Sequence, residues 1–120
     1  MNHHTFIPEL YKAVDAQDVY RISECLAADA TMVFANMPPV AGKMEIGKFL
    51  TGFFQSIESI QHTEIEHWFT EDVCFVTGKV KYVRHDDHML KVPFGVLLRL
   101  RGGLIAEWHI FVDNSALYSS

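Results

Sequence analysis

At 120 residues with 49% hydrophobic side chains, the chain has enough apolar surface for one core and too little length for two, so a single domain over 1–120 is expected. Fifteen acidic residues against ten basic ones leave a net charge of −5, which excludes the positive surface that binds nucleic acid or an anionic membrane. No apolar run approaches the roughly 20 residues needed to cross a bilayer, and MNHHTFIPEL lacks a secretory pattern, so the expected compartment is the cytoplasm.

Phe6, Ile7, Leu10, Tyr11 and Val14 recur at helical spacing behind Thr5, the expected N-cap, while His3 and His4 fall where fraying is expected. The stretch DAQD (15–18) breaks the pattern, and Asp18 is placed to cap a second, short helix with Val19, Ile22 and Leu26 on one face. ATMVFAN (30–36) alternates and is rich in Val, Thr and Phe, which predicts a strand ended by Pro38 and Pro39. Ile46, Phe49, Leu50, Phe53, Phe54 and Ile57 then form a wide apolar stripe on a third helix, despite Gly47 and Gly52. Four strands follow, over 60–69, 73–84, 89–101 and 104–112, with RHDDHM and RGG as hairpin turns. The order predicts an α+β fold: two N-terminal helices and a curved, mixed, mainly antiparallel sheet wrapped around a long helix.

Cys25 and Cys74 fall within a helix and a strand, where small buried reduced thiols are expected. HDDH (85–88) offers two imidazoles and two carboxylates, but neighbours in a tight turn do not converge on one ion, so neither metal nor cofactor is expected. His62 and His67, five apart on a strand, are expected on opposite faces.

VDAQDVYRI, ADATMVF, NMPPVAGKMEIGKFL, IQHTEIEHW, VTGKVKYVR, VPFGVLLRLRGGLIAEWHIFVD and SALY cover nearly the whole chain. In this order and spacing they resemble the nuclear transport factor 2-like superfamily. The resemblance implies the cone-shaped, cystatin-like fold shared by ketosteroid isomerases, limonene epoxide hydrolases and SnoaL-like polyketide cyclases. That fold hosts isomerases, hydrolases, cyclases and non-catalytic binding modules alike.

Carried over by resemblance, the base of a ketosteroid isomerase falls on Phe34, its tyrosine on Leu10 and its second acid on Val96. None of these moves or donates a proton. Tyr11 stands beside the lost tyrosine, but one residue along a helix turns a side chain by about 100°, so it is set aside. Limonene epoxide hydrolases share the Asn-Met-Pro segment, and Asn36 matches their Asn. Their tyrosine falls on Phe34, their arginine on Lys79 and their two aspartates on Lys81 and Ile110, so that chemistry is absent too.

The same resemblance implies an inner face of Phe34, Asn36, Phe53, Ile57, Thr77, Lys79, Lys81, Val83, Val92, Phe94, Val96, Leu98, Trp108, Ile110 and Val112. This describes an apolar pocket for a small apolar molecule with a polar, electron-rich end. Two questions stay open. Lys79 and Lys81 are either paired amines inside the cavity or, as the apolar pattern of Cys74, Val76, Val80 and Tyr82 indicates, solvated on the opposite face. Asn36 either positions a water or a ligand carbonyl, or shapes the turn before Pro38.

The outer face, expected to carry Val80, Tyr82, Leu97 and Phe111 among Arg99, Glu107 and His109, is too apolar to stay wet. By resemblance it pairs in a homodimer. Three functions follow: a SnoaL-like enzyme of isomerase, lyase or hydrolase type, with Asn36, Lys79 and Lys81 as catalytic candidates; a non-catalytic ligand-binding pocket; or a dimeric interaction module with a filled interior.

Overall fold

The structure is a computed structural model that describes residues 3–118, with side chains from Thr5 onward. Helices α1 (His3–Asp15) and α2 (Val19–Glu24) lead into β1 (Leu26–Phe34) and the short β2 (Val40–Ala41). Helix α3 (Lys43–Gln55) follows, then β3 (Ser59–Thr70), β4 (Val73–Val83), β5 (Met89–Arg101) and β6 (Leu104–Val112), with a 3-10 turn at Ser115–Tyr118. The six strands form one curved sheet in the order β2-β1-β6-β5-β4-β3, with β1 and β6 parallel and every other pair antiparallel. This is the α+β arrangement expected. No helix among the described residues is long and apolar enough to cross a membrane.

Local chemistry explains most boundaries. Asp18 caps α2 by accepting the Arg21 N–H at 3.1 Å. Gly42 opens α3 at φ +95°, a conformation that costs a side-chain-bearing residue dearly. Three expected boundaries shift. Helix α1 starts at His3, so Thr5 lies inside it rather than capping it. β1 starts at Leu26, which the helical reading had put on α2, because Leu26 already pairs with Ile105 of β6 and is buried. It ends at Phe34 instead of running to Asn36.

Helix α1 lies on β3 and helix α3 on β1, so both 13-residue helices cover the inner face of the sheet. Ile7, Leu10, Ile22, Met32, Ile46, Leu98 and Ile105 are completely buried between these layers. Burying each such side chain favours the fold by about 1.5–3 kcal/mol.

Register shifts occur in β1–β6, β5–β6 and β3–β4, and the one in β3 lies beside the cavity. The register of β3 against β4 shifts between Thr63 and Glu66, where Glu64 and Ile65 together oppose Gly78. Glu64 takes φ +55° there, an uncommon left-handed conformation for a residue with a side chain. The extra residue changes the phase of alternation. Ile60 and His62 face inward before it, and His67, opposite the buried Val76, faces inward after it. The expectation that the two histidines point to opposite faces is therefore corrected.

Candidate functional site

A cavity of about 40 Å³ lies between the sheet and the two long helices. Tyr11 and Val14 of α1, Leu50, Phe53 and Phe54 of α3, Ile60 and His62 of β3, and Val80 and Tyr82 of β4 line it. Phe34, Phe94, Val96, Trp108, Ile110 and Val112 complete the wall. Almost every wall atom is apolar, which makes the few polar ones conspicuous.

His62 is the titratable group best placed for chemistry. The Asp15 carboxylate accepts the His62 backbone N–H at 3.0 Å and lies 2.6 Å from His62 Nδ1. A carboxylate only accepts, so Nδ1 donates in this hydrogen bond, and the neutral tautomer that it selects is the one with the lone pair on Nε2. Asp15 ends α1 one turn after Tyr11, and four residues on a helix bring two side chains onto one face. The tyrosine ring packs on His62 with centroids 4.7 Å apart, and Phe94 meets both, at 5.7 Å from Tyr11 and 4.9 Å from His62. Gly78 makes room for this group: a Cβ there would lie 2.8 Å from the Thr63 carbonyl oxygen and 2.9 Å from the Phe94 ring.

Two residues of the same wall carry further buried polar atoms. The Tyr11 hydroxyl and Trp108 Nε1 are buried, and neither has a hydrogen-bond partner among the described residues. A buried donor left unpaired costs about 1–3 kcal/mol. Burial, with smaller contributions from Cys74 and Asp15, holds the Tyr11 hydroxyl far above its ordinary pKa, so it stays a donor. Burial likewise keeps the Tyr82 hydroxyl protonated.

Of the residues expected inside, Phe34, Phe53, Phe94, Val96, Trp108, Ile110 and Val112 stand in the lining. Val92 and Leu98 lie outside it; Leu98 is fully buried in the core. The β4 face is the reverse of the one carried over by resemblance. Val76, Val80 and Tyr82 are buried inward, whereas Lys79 pairs with Thr63 and Lys81 with Gln61 on the outer side, together with Thr77 and Val83. A strand alternates with period two, so a slip of one residue exchanges its faces, and here the apolar set takes the interior. Val80 and Tyr82 are thus also removed from the expected outer face.

Asn36 is exposed outside the cavity. The Met37 N–H donates to the Phe34 carbonyl at 2.9 Å, closing a turn that puts Asn36 at its tip. Ile57 is buried beyond the end of α3 and does not reach the cavity. In HDDH, His85 bonds Glu58 and the Gln55 carbonyl, and Asp86 bonds Arg84. No group of three or more His, Cys, Asp or Glu side chains is gathered as metal ligands among the described residues.

Asp15, His62 and Tyr11 were missed as a set. The four-residue spacing of Tyr11 and Asp15 and the Ile60–His62 alternation were both visible. Asp15 read as a helix breaker, and the unbroken phase assumed for β3 obscured His62.

Solved structures share this architecture. A candidate polyketide cyclase from Xanthomonas campestris pv. campestris superposes with a TM-score of 0.85 at 17% identity, over 92% of this chain and 90% of that one. A hypothetical protein with a ketosteroid isomerase-like fold from Catenulispora acidiphila DSM 44928 gives 0.83 at 20%, over 91% and 85%. A nuclear transport factor 2-like protein of unknown function from Burkholderia pseudomallei K96243 gives 0.87 at 15%, over 98% and 95%. At such identities the likeness is one of fold. No curated protein sequence matches the chain. The family model of the SnoaL-like domain matches residues 7–108, from the first helix to the cavity tryptophan, and the chain belongs to that family.

Proposed function

We propose that the protein is an enzyme of proton-transfer type, isomerase or lyase, acting on a small, mostly apolar molecule with a carbonyl or hydroxyl end. One observation carries this reading: His62, held by Asp15, lines the same apolar cavity as Tyr11 and Trp108, whose donors have no partner among the described residues. The donors take the polar end of the substrate and strengthen their hold as negative charge develops on its oxygen. His62 Nε2 removes a proton from the adjacent carbon and returns it elsewhere on the molecule or to a leaving hydroxyl. Asp15 holds the ring in the tautomer this requires and steadies the imidazolium that forms. Apolar walls exclude water and favour neutral substrates over free acids, because a carboxylate would lose its hydration there without a cation to replace it. Cys25 and Cys74 are free thiols, which supports a reducing compartment such as the cytoplasm.

The test is deuterium exchange. Neutral ketones and hydroxyketones incubated with the protein in heavy water are followed by proton NMR at the carbon beside the carbonyl. Exchange by the wild type and none by His62→Gln supports the assignment. Ligand binding without exchange at any carbon selects the non-catalytic binding pocket instead.

A further inference from the structure

The inner cavity is too small for a whole metabolite: it holds about 40 Å³, whereas ligand sites occupy about 300–1,000 Å³. Its polar atoms fix one end of a molecule, and the rest must lie elsewhere. Phe34 and Phe53, whose ring centroids are 5.0 Å apart, line both this cavity and an outer hollow of about 370 Å³. Met37, Phe49, Gly52, Tyr118 and Ser56, whose hydroxyl donates to the Phe53 carbonyl, complete its lining with Lys48, and Met37 and Tyr118 stand 49% and 65% exposed. The charged side chain in its wall, Lys48, already lies 3.2 Å from Glu45, so the hollow suits hydrocarbon rather than an anion.

We propose that this hollow is a second subsite, which takes the apolar body of a ligand whose polar end lies against Tyr11 and Trp108. The proposal rests on the functional reading above and defines its substrate class: an elongated neutral molecule with one carbonyl or hydroxyl head and a hydrocarbon body. The Phe34 and Phe53 rings form the partition between the two spaces. They turn about their side-chain bonds to let the body through, and the methionine at position 37 adapts to what arrives.

Gly52 supplies the test. A Cβ there meets nothing within 4 Å, and leucine is a better helix former than glycine, so Gly52→Leu folds while occupying the hollow. Dissociation constants are measured by calorimetry for straight-chain methyl ketones from 2-butanone to 2-undecanone. In the wild type, affinity is expected to rise about fourfold per added methylene beyond the length the cavity holds. In Gly52→Leu the short ketones bind as before, and the long ones lose tenfold or more. Affinity that levels off once the cavity is full, or that rises equally in both proteins, overturns the second subsite alone. Failure of every ketone to bind either protein overturns the functional reading and the subsite together.

Discussion

The carboxylate of Asp15 is bonded by His62 twice, through the backbone N–H at 3.0 Å and ring Nδ1 at 2.6 Å, and so ties the end of α1 to β3. An Asn at position 15 keeps the size but no longer demands a proton on Nδ1. Asp15→Asn should lower the deuterium-exchange rate by about 10²- to 10⁴-fold. The dissociation constant of the same ketone should change less than threefold. An equal loss in rate and binding would make Asp15 a structural tie rather than a positioning residue.

Tyr11 should show opposite effects on fold and ligand. Its hydroxyl is buried with no partner among the described residues, so Tyr11→Phe should leave the free protein as stable as the wild type or about 1 kcal/mol more stable in urea denaturation. The same variant should bind ketones about tenfold more weakly, because a donor to the carbonyl is gone. A destabilised variant with unchanged binding would mean that the hydroxyl serves the fold.

Gly78→Ala should cost about 1–3 kcal/mol, read from the urea midpoint, since the added methyl meets backbone that cannot yield easily. The clash is with the Thr63 carbonyl at 2.8 Å and the Phe94 ring at 2.9 Å. Because Phe94 packs on Tyr11 and His62, exchange activity should fall with stability. A neutral substitution would show that the bulge relaxes freely.

Stability should decline between about pH 9 and 11. Burial raises the Cys74 thiol from its ordinary value of 9.0 to about 11. A group that binds its proton more tightly when folded contributes stability that is fully present below the unfolded value and lost as pH rises through the folded one. The loss is on the order of 2 kcal/mol. Thermal melts at pH 8 and 11 should therefore converge in Cys74→Ala relative to the wild type. An equal drop in both proteins would assign the loss to other groups.

Trp68, Phe75 and Phe111 stand 53%, 48% and 61% exposed on the outer face of the sheet. Trp68 pairs with Phe75, Phe75 with Leu97, and Phe111 with Gly95 beside it, so the apolar surface is continuous across four strands. We propose that a second copy of the chain covers it. Sedimentation at high micromolar concentration should give a dimer, and Phe75→Glu a monomer. A wild-type monomer at that concentration would refute the pairing.

The sequence made the architecture legible because long elements repeat their signal. The stripe from Ile46 to Phe54 and the four final strands each carry several residues that agree. The aromatic and aliphatic cavity wall was legible through the resemblance, which put Phe34, Phe94 and Trp108 inside, and the alternation along their strands agrees with it. The polar centre was not. Asp15 and His62 lie 47 residues apart, and nothing local announces a contact that only the packing of α1 on β3 creates. Tyr11 was set aside by treating a helix as one narrow face, although Leu10, Tyr11 and Val14 are all buried here. On β4 the hydrophobic pattern alone gave the correct face, and the positional analogy that competed with it was off by one residue.

The irregularity at Glu64 and Ile65 also bears on how this chain should be aligned with its relatives. Two residues there occupy the space opposite one, Gly78. A homologue lacking one of them would keep His62 and His67 on the same side as they are here. A deletion elsewhere in β3 would turn over every side chain between it and this point. Single-residue gaps among divergent members therefore belong at this position. An ungapped comparison across it would exchange the wet and dry faces of half a strand.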